Sequence, residues 1–297
     1  MIIEGHPRKL AEWEFEGLDV GTRDDTLAFY RSEMTRKISD IHLRNVYLIR
    51  RPDGVVCLSP PKNAAASNSF LAVLVFLAGN TLIVKPPLKA PVSTIYLWRH
   101  IINPALEVYG APAGTLNIVL GNSKKIMDEW IESPFVNDIV FFGETGHGVE
   151  LGQKIFAKGK KPILELSGKD ILYIWKDANL DKATDSLTDS FLGSMQICMV
   201  PKMAVVHADV YDHVAKLMVE KLKKIEYGLP SHSGTCLSPV AKIKEYYEFL
   251  EDAVSKGAAL LCGGNRVDYH GNPDKNGMYV EPTLLMLEDS EVTKKTK

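Results

Sequence analysis

The sequence contains no CxxC pair. Its four cysteines, Cys57, Cys198, Cys236 and Cys262, are widely scattered. That argues against a zinc site or a dithiol redox motif, so no metal is expected. It also predicts reduced thiols and a cytoplasmic location. Long runs of one charge are missing too. The net charge is -2, whereas a nucleic-acid partner normally leaves a concentrated basic stretch. The densest basic cluster, Lys294, Lys295 and Lys297, reads as a solvated end, so no nucleic-acid partner is expected. The opening MIIEGHPRKL has no apolar core segment, and no signal peptide is expected from it. The longest apolar run, Phe70 to Ala78, stops at Gly79-Asn80. A bilayer span takes about 20 residues, so no membrane partner is expected and the run reads as a buried helix. There is no internal repeat and no low-complexity tract.

What is present is an ordinary globular composition, 45% hydrophobic and 24% charged, which supports a proper core. A length of 297 residues fits one large or two ordinary domains. The first 50 residues are polar and predict some helix. From about residue 52, strand-like runs alternate with amphipathic stretches. Val55 to Leu58 reads as a strand, Ser67 to Ala78 as a helix and Thr81 to Val84 as a second strand. Val92 to Tyr109 reads as one helix, Leu116 to Leu120 as a strand, and Asp138 to Phe142 as a strand followed by a helix through Phe156. Such alternation means an α/β fold with a parallel sheet covered on both faces. Further on, Asp181 opens a helix toward Phe191 and Met203 to Val206 is a strand. Asp209 can cap a helix with apolar positions Val210, Val214, Leu217, Met218 and Leu222. A second helix uses Ile243, Tyr246, Leu250 and Val254, and Ala258 to Leu261 follows as a strand. The expected boundary is near residue 167, giving domains 1–167 and 168–297.

Several segments could carry chemistry. Glu165 ends the apolar stretch Pro162-Ile163-Leu164. A carboxylate at a buried strand end needs a partner or a function, and Lys161 or Lys169 could supply the partner. Cys198 sits among Met195, Ile197, Met199 and Val200. It is either an inert core thiol or a nucleophile that Glu165 could serve as a base. Gly143-Glu144-Thr145-Gly146-His147-Gly148 follows a strand and opens a helix, so its N–H groups could face a phosphate. It could equally be a plain glycine turn, and the Glu144 carboxylate would repel an anion. Lys85 follows the second strand, where open parallel sheets bind ligands. Asn63, in Ser59-Pro60-Pro61-Lys62-Asn63, could stabilise an oxyanion or only its own turn.

Taken in order, these segments resemble the aldehyde dehydrogenase superfamily, from Arg51 to Leu285. Gly54-Val55-Val56 through Asn63 is similar to the family's strand and catalytic-asparagine loop. Val84-Lys85-Pro86 is similar to its cofactor-lysine segment, and Gly110-Ala111-Pro112 through Gly121 to the next strand and its glycine. Phe141 to Gly148 resembles the phenylalanine-x-glycine-x-threonine loop. Glu165-Leu166-Ser167-Gly168-Lys169 resembles the general-base motif, and Asp177-Ala178-Asn179-Leu180-Asp181 the stretch that follows it. Gln196-Ile197-Cys198 resembles the nucleophile motif, and Val280-Glu281-Pro282-Thr283 a late strand.

The resemblance implies a Rossmann-like cofactor-binding domain joined to an α/β catalytic domain. It also implies NAD or NADP as cofactor, a small-molecule aldehyde as substrate and a possible homo-oligomer. It assigns Cys198 as nucleophile, Glu165 as general base and Asn63 as oxyanion donor. Lys85 goes to the adenosine ribose, and Gly121, Gly143, Glu144, Thr145 and Gly148 to the cofactor's surroundings. Four residues depart from the pattern. Glu144 replaces a serine, Met195 a glycine and Lys62 an aromatic residue. Leu88 stands where an acid often binds the ribose 2′-hydroxyl, which admits NADP. Against the family pattern the chain is expected to be short at both ends, with an incomplete catalytic domain. The expected activity is hydrolytic oxidation through a thioester. The alternatives are an inactive or fragmentary member serving as a cofactor-binding or structural protein, and, less favoured because Glu165 is present, acyl transfer to coenzyme A.

Overall fold

A computed structural model of the chain describes residues 1–41 and 44–287. It divides into two compact units. One is Trp13–Ser167; the other joins Met1–Glu12 to the chain from Gly168 onward.

The N-terminal stretch forms α1 (Arg8–Thr22), α2 (Asp24–Met34) and an antiparallel pair of strands, β1 (Thr35–Ile41) and β2 (Arg44–Ile49). The pair was not evident in the polar composition of the first 50 residues. Then come β3 (Val55–Ser59), α3 (Ala65–Phe70), α4 (Leu74–Leu77), β4 (Thr81–Val84), α5 (Val92–Tyr96), α6 (Asn103–Val108), β5 (Leu116–Ile118), α7 (Ser123–Glu132), β6 (Asp138–Phe142), α8 (Thr145–Ala157) and β7 (Lys161–Glu165). Strands β3 to β7 make one five-stranded sheet in the order β5-β4-β3-β6-β7, and every neighbouring pair in it is parallel. This is the parallel α/β sheet expected from the alternation of strand and helix patterns, in the Rossmann-like arrangement that the resemblance implies.

Helices cover the sheet because its strands are apolar on both sides. On one face Met127, Trp130 and Ile131 of α7 and Leu151 and Ile155 of α8 bury against Cys57 and Ile139. Full burial of each large aliphatic side chain contributes roughly 1.5–3 kcal/mol. Elsewhere in the unit Trp98 is fully buried. Its indole N–H donates to Ser69 Oγ at 3.0 Å, and its ring meets Phe76 edge-on at 6.4 Å. The two long helices expected here are interrupted. Residues 67–78 form α3, a 3₁₀ turn and α4, and residues 92–109 form α5, a π-helical stretch over Leu97–Ile102 and α6. Pro104 explains the second interruption, because it has no N–H for the i→i−4 ladder and forces the preceding turn to widen.

The second unit holds β8 (Asp170–Ile174), α9 (Leu180–Asp189), β9 (Pro201–Val206), α10 (Tyr211–Leu222), α11 (Ile243–Ser255), β10 (Ala259–Cys262), β11 (Arg266–Val267), β12 (Tyr279–Val280) and β13 (Leu284–Met286). Strands β8 and β9 pair in parallel, while β10 pairs β13 and β11 pairs β12 antiparallel. Ile174, Leu187, Phe191, Val214, Met218 and Leu222 form its core. Two caps differ from expectation. Helix α9 is capped by the Asn179 side chain accepting from Lys182 N, so it opens at Leu180 and its cap lies two residues ahead of Asp181. Asp209 lies inside a short 3₁₀ turn before α10 and caps nothing there; His207 Nδ1 accepts from its N–H. The late strand expected over Val280 to Thr283 is instead the end of β12, a link, and the approach to β13. No helix among the described residues is long and apolar enough to cross a membrane.

Candidate active site

Strand order decides where ligand-binding groups can gather in the first unit. From β3 the chain winds outward to β4 and β5, then crosses back to β6 and β7. Open α/β sheets bind ligands at the carboxyl ends of strands where this direction reverses, here between β3 and β6. The turn after β3 carries Asn63, half-buried just ahead of α3; the turn after β6 carries Gly143 and Glu144. Ser59 and Phe141, near the carboxyl ends of these two strands, are directly paired. Lys85 follows β4, Gly121 follows β5, and Glu165 is the last residue of β7. The expected first-unit residues therefore lie along one edge of one sheet.

Lys85 is only 4% exposed. Its backbone N–H donates to Leu58 O at 2.8 Å and extends the β3–β4 ladder. No described residue accepts from its ammonium, and burial, unopposed by any nearby carboxylate, pushes its pKa down. A buried cation without a counter-charge is costly, and an anionic or hydroxyl-rich ligand would relieve that cost.

The turn after β6 is shaped by close approach. A Cβ on Gly143 would come within 2.5 Å of the Phe141 ring, and the Gly143 N–H donates to Glu165 O at 3.1 Å. Glu144 then caps α8 with its own carboxylate, accepting from Gly146 N at 2.8 Å and His147 N at 2.9 Å. The positive end of the helix favours such an anion, so the N–H groups expected to face a phosphate are occupied by a protein side chain. Thr145 Oγ1 donates to Ser167 O at 3.4 Å. Gly148 has a packing role: a Cβ there would collide with Leu166, and one on Gly152 would lie 2.7 Å from Leu164 Cδ1. The two glycines let α8 settle close to the chain of β7 and its continuation.

Glu165 is not a buried carboxylate. Strand β7 is an edge of the sheet, and Glu165 is exposed at its end. Lys161, considered as its partner, instead contacts Asp53 and reaches Asp138 at 3.3 Å. That ammonium holds the Asp53 carboxyl low, whereas burial pushes Asp138 up. No described residue hydrogen-bonds or ion-pairs with the Glu165 carboxylate.

In the second unit, burial separates the cysteines. It pushes Cys57, back in the first unit, up to about 12, and it also raises Cys236 and Cys262. These three stay protonated at neutral pH and are poor nucleophiles. Cys198 is half-buried on the turn that leads into β9. That turn is preceded by an unusual backbone: Gly193, Ser194 and Met195 have φ of 67°, 56° and 56°. Left-handed backbone costs a non-glycine residue roughly 1–2 kcal/mol. The conformation at Met195 gives the physical reason why glycine is usual in the pattern this segment resembles.

Bonds to a distant segment hold the strained stretch. Gly193 N donates to Cys236 O at 2.7 Å. Ser194 Oγ donates to Ser238 O at 2.7 Å and accepts from Ser238 N at 2.9 Å. Gln196 Nε2 donates to Pro239 O at 2.9 Å, and its Oε1 accepts from Ala241 N at 2.9 Å. Lys202 completes the turn from the other side, its ammonium donating to Ile197 O at 2.8 Å, Cys198 O at 3.0 Å and Val200 O at 3.0 Å. Sequence reading missed Lys202 and Ser194 altogether. The available signal for Lys202 was a lysine four residues past a candidate thiol.

The family model described as the aldehyde dehydrogenase family matches residues 11–295. The chain belongs to the aldehyde dehydrogenase family. It is 31% identical over 271 residues to D-glyceraldehyde dehydrogenase (NADP(+)) of Picrophilus torridus, covering 88% of itself and 53% of that protein. Its fold is similar to the crystal structure of glyceraldehyde-3-phosphate dehydrogenase from Methanocaldococcus jannaschii complexed with NADP, at 29% identity and a TM-score of 0.80, covering 96% of this chain and 60% of that one. It is also similar to an NAD-dependent benzaldehyde dehydrogenase from Corynebacterium glutamicum, at 27% identity and a TM-score of 0.81, covering 97% and 61%. The chain thus spans about half the length of the curated relatives it matches.

Proposed function

We propose that this chain carries the machinery of an aldehyde dehydrogenase that oxidises an aldehyde to the carboxylic acid with NAD or NADP. Strand order is the observation that carries the reading: it sets Asn63, Lys85, Gly143 and Glu165 along the carboxyl edge of one parallel sheet, where such sheets bind ligands. Residues 13–167 then serve as the cofactor-binding domain and the part from Gly168 onward as the nucleophile-bearing domain. The relatives act on different aldehydes and use both dinucleotides, which supports the reaction class. The four cysteines, all free, support a cytoplasmic setting.

The residues fit a dinucleotide at Lys85, whose buried ammonium lacks a partner among the described residues. They do not fit it at the first turn of α8 as it stands, because Glu144 holds the two N–H groups there. Lys85 would bind the ribose, and a phosphate beside α8 would require the Glu144 side chain to swing out. Leu88, exposed after β4, offers no carboxylate to repel a 2′-phosphate.

The chain's own groups do the rest. The Cys198 thiolate adds to the aldehyde carbon, and the carbonyl electron pair moves onto oxygen. The Cys198 N–H would donate to that oxyanion, and the Asn63 amide is the further donor that the resemblance assigns. A bound nicotinamide supplies the hydride acceptor that makes the adduct a thioester. Glu165 takes a proton from water, whose oxygen adds to the thioester carbon. The C–S bond then breaks, releasing the acid and restoring the thiolate. An exposed carboxylate with no competing partner is suited to this task.

A second reading, a cofactor-binding or structural member that turns over little, is favoured by the Glu144 carboxylate on α8. Stopped-flow mixing with an aldehyde panel and each dinucleotide separates the two. Active wild type gives a burst of reduced nicotinamide, Cys198→Ser abolishes it, and Glu165→Gln keeps the burst while turnover falls by roughly 10²–10⁴. A wild-type chain that binds dinucleotide and gives no burst with any aldehyde would support the second reading.

A further inference from the structure

Lys202 is used by nothing described so far, yet its ammonium is the centre of the turn that carries Cys198. An ammonium has three N–H donors, and here each has its own carbonyl: Ile197 O at 2.8 Å, Cys198 O at 3.0 Å and Val200 O at 3.0 Å. A surface lysine does not spend its whole donor capacity on one turn of backbone. Side-chain entropy of about 1.5–2 kcal/mol opposes fixing it there, and burial pushes its pKa down while the charges of Asp170 and Cys198 push it back up.

The trans peptide group turns this contact into a directional device. In a planar trans peptide the C=O and N–H of the same unit point in opposite directions. With Ile197 O turned toward Lys202, the Cys198 N–H must point away from it. With Cys198 O turned the same way, the Met199 N–H must also point away. Neither N–H donates to any backbone acceptor among the described residues. The carbonyls are gathered on one side, and the two donors are left free on the other. A carbonyl held by a cation is polarised, which strengthens the donor at the other end of its peptide unit.

Position in the fold explains how the lysine reaches this point. Strand β9 begins at Pro201, which has no N–H to offer the turn, and Lys202 follows it. Asp170, at the start of β8, pairs in register with Pro201 and is the charged group facing Lys202 from the neighbouring strand. Gly168 lies just before it, where a Cβ would stand 3.5 Å from the Cys198 carbonyl oxygen. The groups whose charge acts on Lys202 are therefore Asp170 from β8 and Cys198 from the turn itself.

We propose that Lys202 is the positioning residue of Cys198: it gathers three carbonyls of the turn, turns the Cys198 and Met199 N–H groups to the opposite side, and brings a positive charge to the backbone of the turn that carries the thiol. The proposal rests on the reading of Cys198 as nucleophile and adds to it the group that makes the turn ready. It also separates two kinds of contact in this segment. Ser194 and Gln196 tie the turn to Ser238–Ala241 with neutral hydrogen bonds. Lys202 alone brings charge.

The test is the pH dependence of Cys198 alkylation by iodoacetamide, read by mass spectrometry on the Cys198 peptide so that the other three thiols do not interfere. Wild type sets the reference rate at each pH. Lys202→Met is expected to slow alkylation at pH 7 by about 10-fold, since a neighbouring cation favours the reactive thiolate. Lys202→Arg, which keeps the charge, is expected to restore most of the rate. Should Lys202→Met fail to fold, Lys202→Gln, shorter, uncharged and with two N–H donors in place of three, is expected to be slowed in the same way. A folded Met or Gln variant with the wild-type profile, or an Arg variant as impaired as Met, would overturn the proposal. A different failure marks the underlying reading. If wild-type Cys198 alkylates like a free cysteine and gives no burst with aldehydes, Cys198 is not the nucleophile.

Discussion

The two turns that hold the candidate site residues Gly143 to Gly148 and Cys198 are built in opposite ways. The turn after β6, Gly143 to Gly148, is local. Its glycines give close approach to Phe141 and Leu166, and its one carboxylate caps the helix it opens. The turn before β9, Gly193 to Val200, is not local. Its backbone is left-handed at three successive residues, and it keeps that shape through bonds to residues near 238 and to Lys202. A turn at the end of a parallel strand is positioned by the sheet. A turn that must present a thiol on strained backbone needs side chains from elsewhere to hold it.

The largest expected effect follows from cutting those ties. Gln196→Ala removes the bonds to Pro239 O and Ala241 N and leaves both backbone groups short of a partner. The bond to Pro239 O is part-buried and the one to Ala241 N is open to water, so the loss is that of two ordinary hydrogen bonds; about 1–2 kcal/mol is expected in urea unfolding, together with indiscriminate, faster labelling of Cys198. Unchanged stability would mean that Ser194 and Lys202 suffice to hold the turn. The local turn should be far more tolerant. Glu144→Ser exchanges one good cap for another, so stability is expected to stay within about 0.5 kcal/mol, while Glu144→Ala loses about 1 kcal/mol. The serine variant frees the α8 donors from a carboxylate, and dinucleotide affinity by fluorescence titration is expected to tighten several-fold. Weaker binding by the serine variant would make Glu144 a ligand contact and remove its role as an internal plug.

The same contrast explains what could be read in the sequence. Four of the five parallel strands were legible because apolar runs of strand length alternate with helical periodicity, and Asn63, Lys85 and Gly143 lie just past the ends of three of them. Glu165 was misjudged as buried, because the apolar stretch Pro162-Ile163-Leu164 looks like a central strand, and only the pairing shows that β7 is an edge. The break at Leu97–Ile102 was missed for a related reason: the apolar period continues through it, and Pro104 acts on the backbone without altering that period. The turn that carries Cys198 was legible only as Gln196-Ile197-Cys198. Its supports sit some forty residues downstream in Ser238–Ala241 or act through main-chain carbonyls, and neither leaves a local pattern. Met195 was seen as a departure, yet its meaning required a φ angle.

That angle gives the smallest effect and the sharpest comparison. Met195 is half-buried and packs beside the core of the second unit, so removing its side chain costs packing in any variant. Alanine and glycine both lose that packing. Alanine keeps the strain of φ 56°, whereas glycine adopts such backbone freely. At an ordinary helical position glycine is worse than alanine by about 0.5–1 kcal/mol. At Met195 the order is expected to invert, with Met195→Gly more stable than Met195→Ala by about 1 kcal/mol in urea unfolding. At Gln153, exposed inside α8, the usual order is expected. If alanine is the more stable at both positions, the left-handed stretch before Cys198 is not strained, and the bonds from Ser194 and Gln196 are not holding it against a cost. If the order inverts only at Met195, strain and restraint belong to the turn before β9 alone, and the turn after β6 is relaxed because the sheet already positions it.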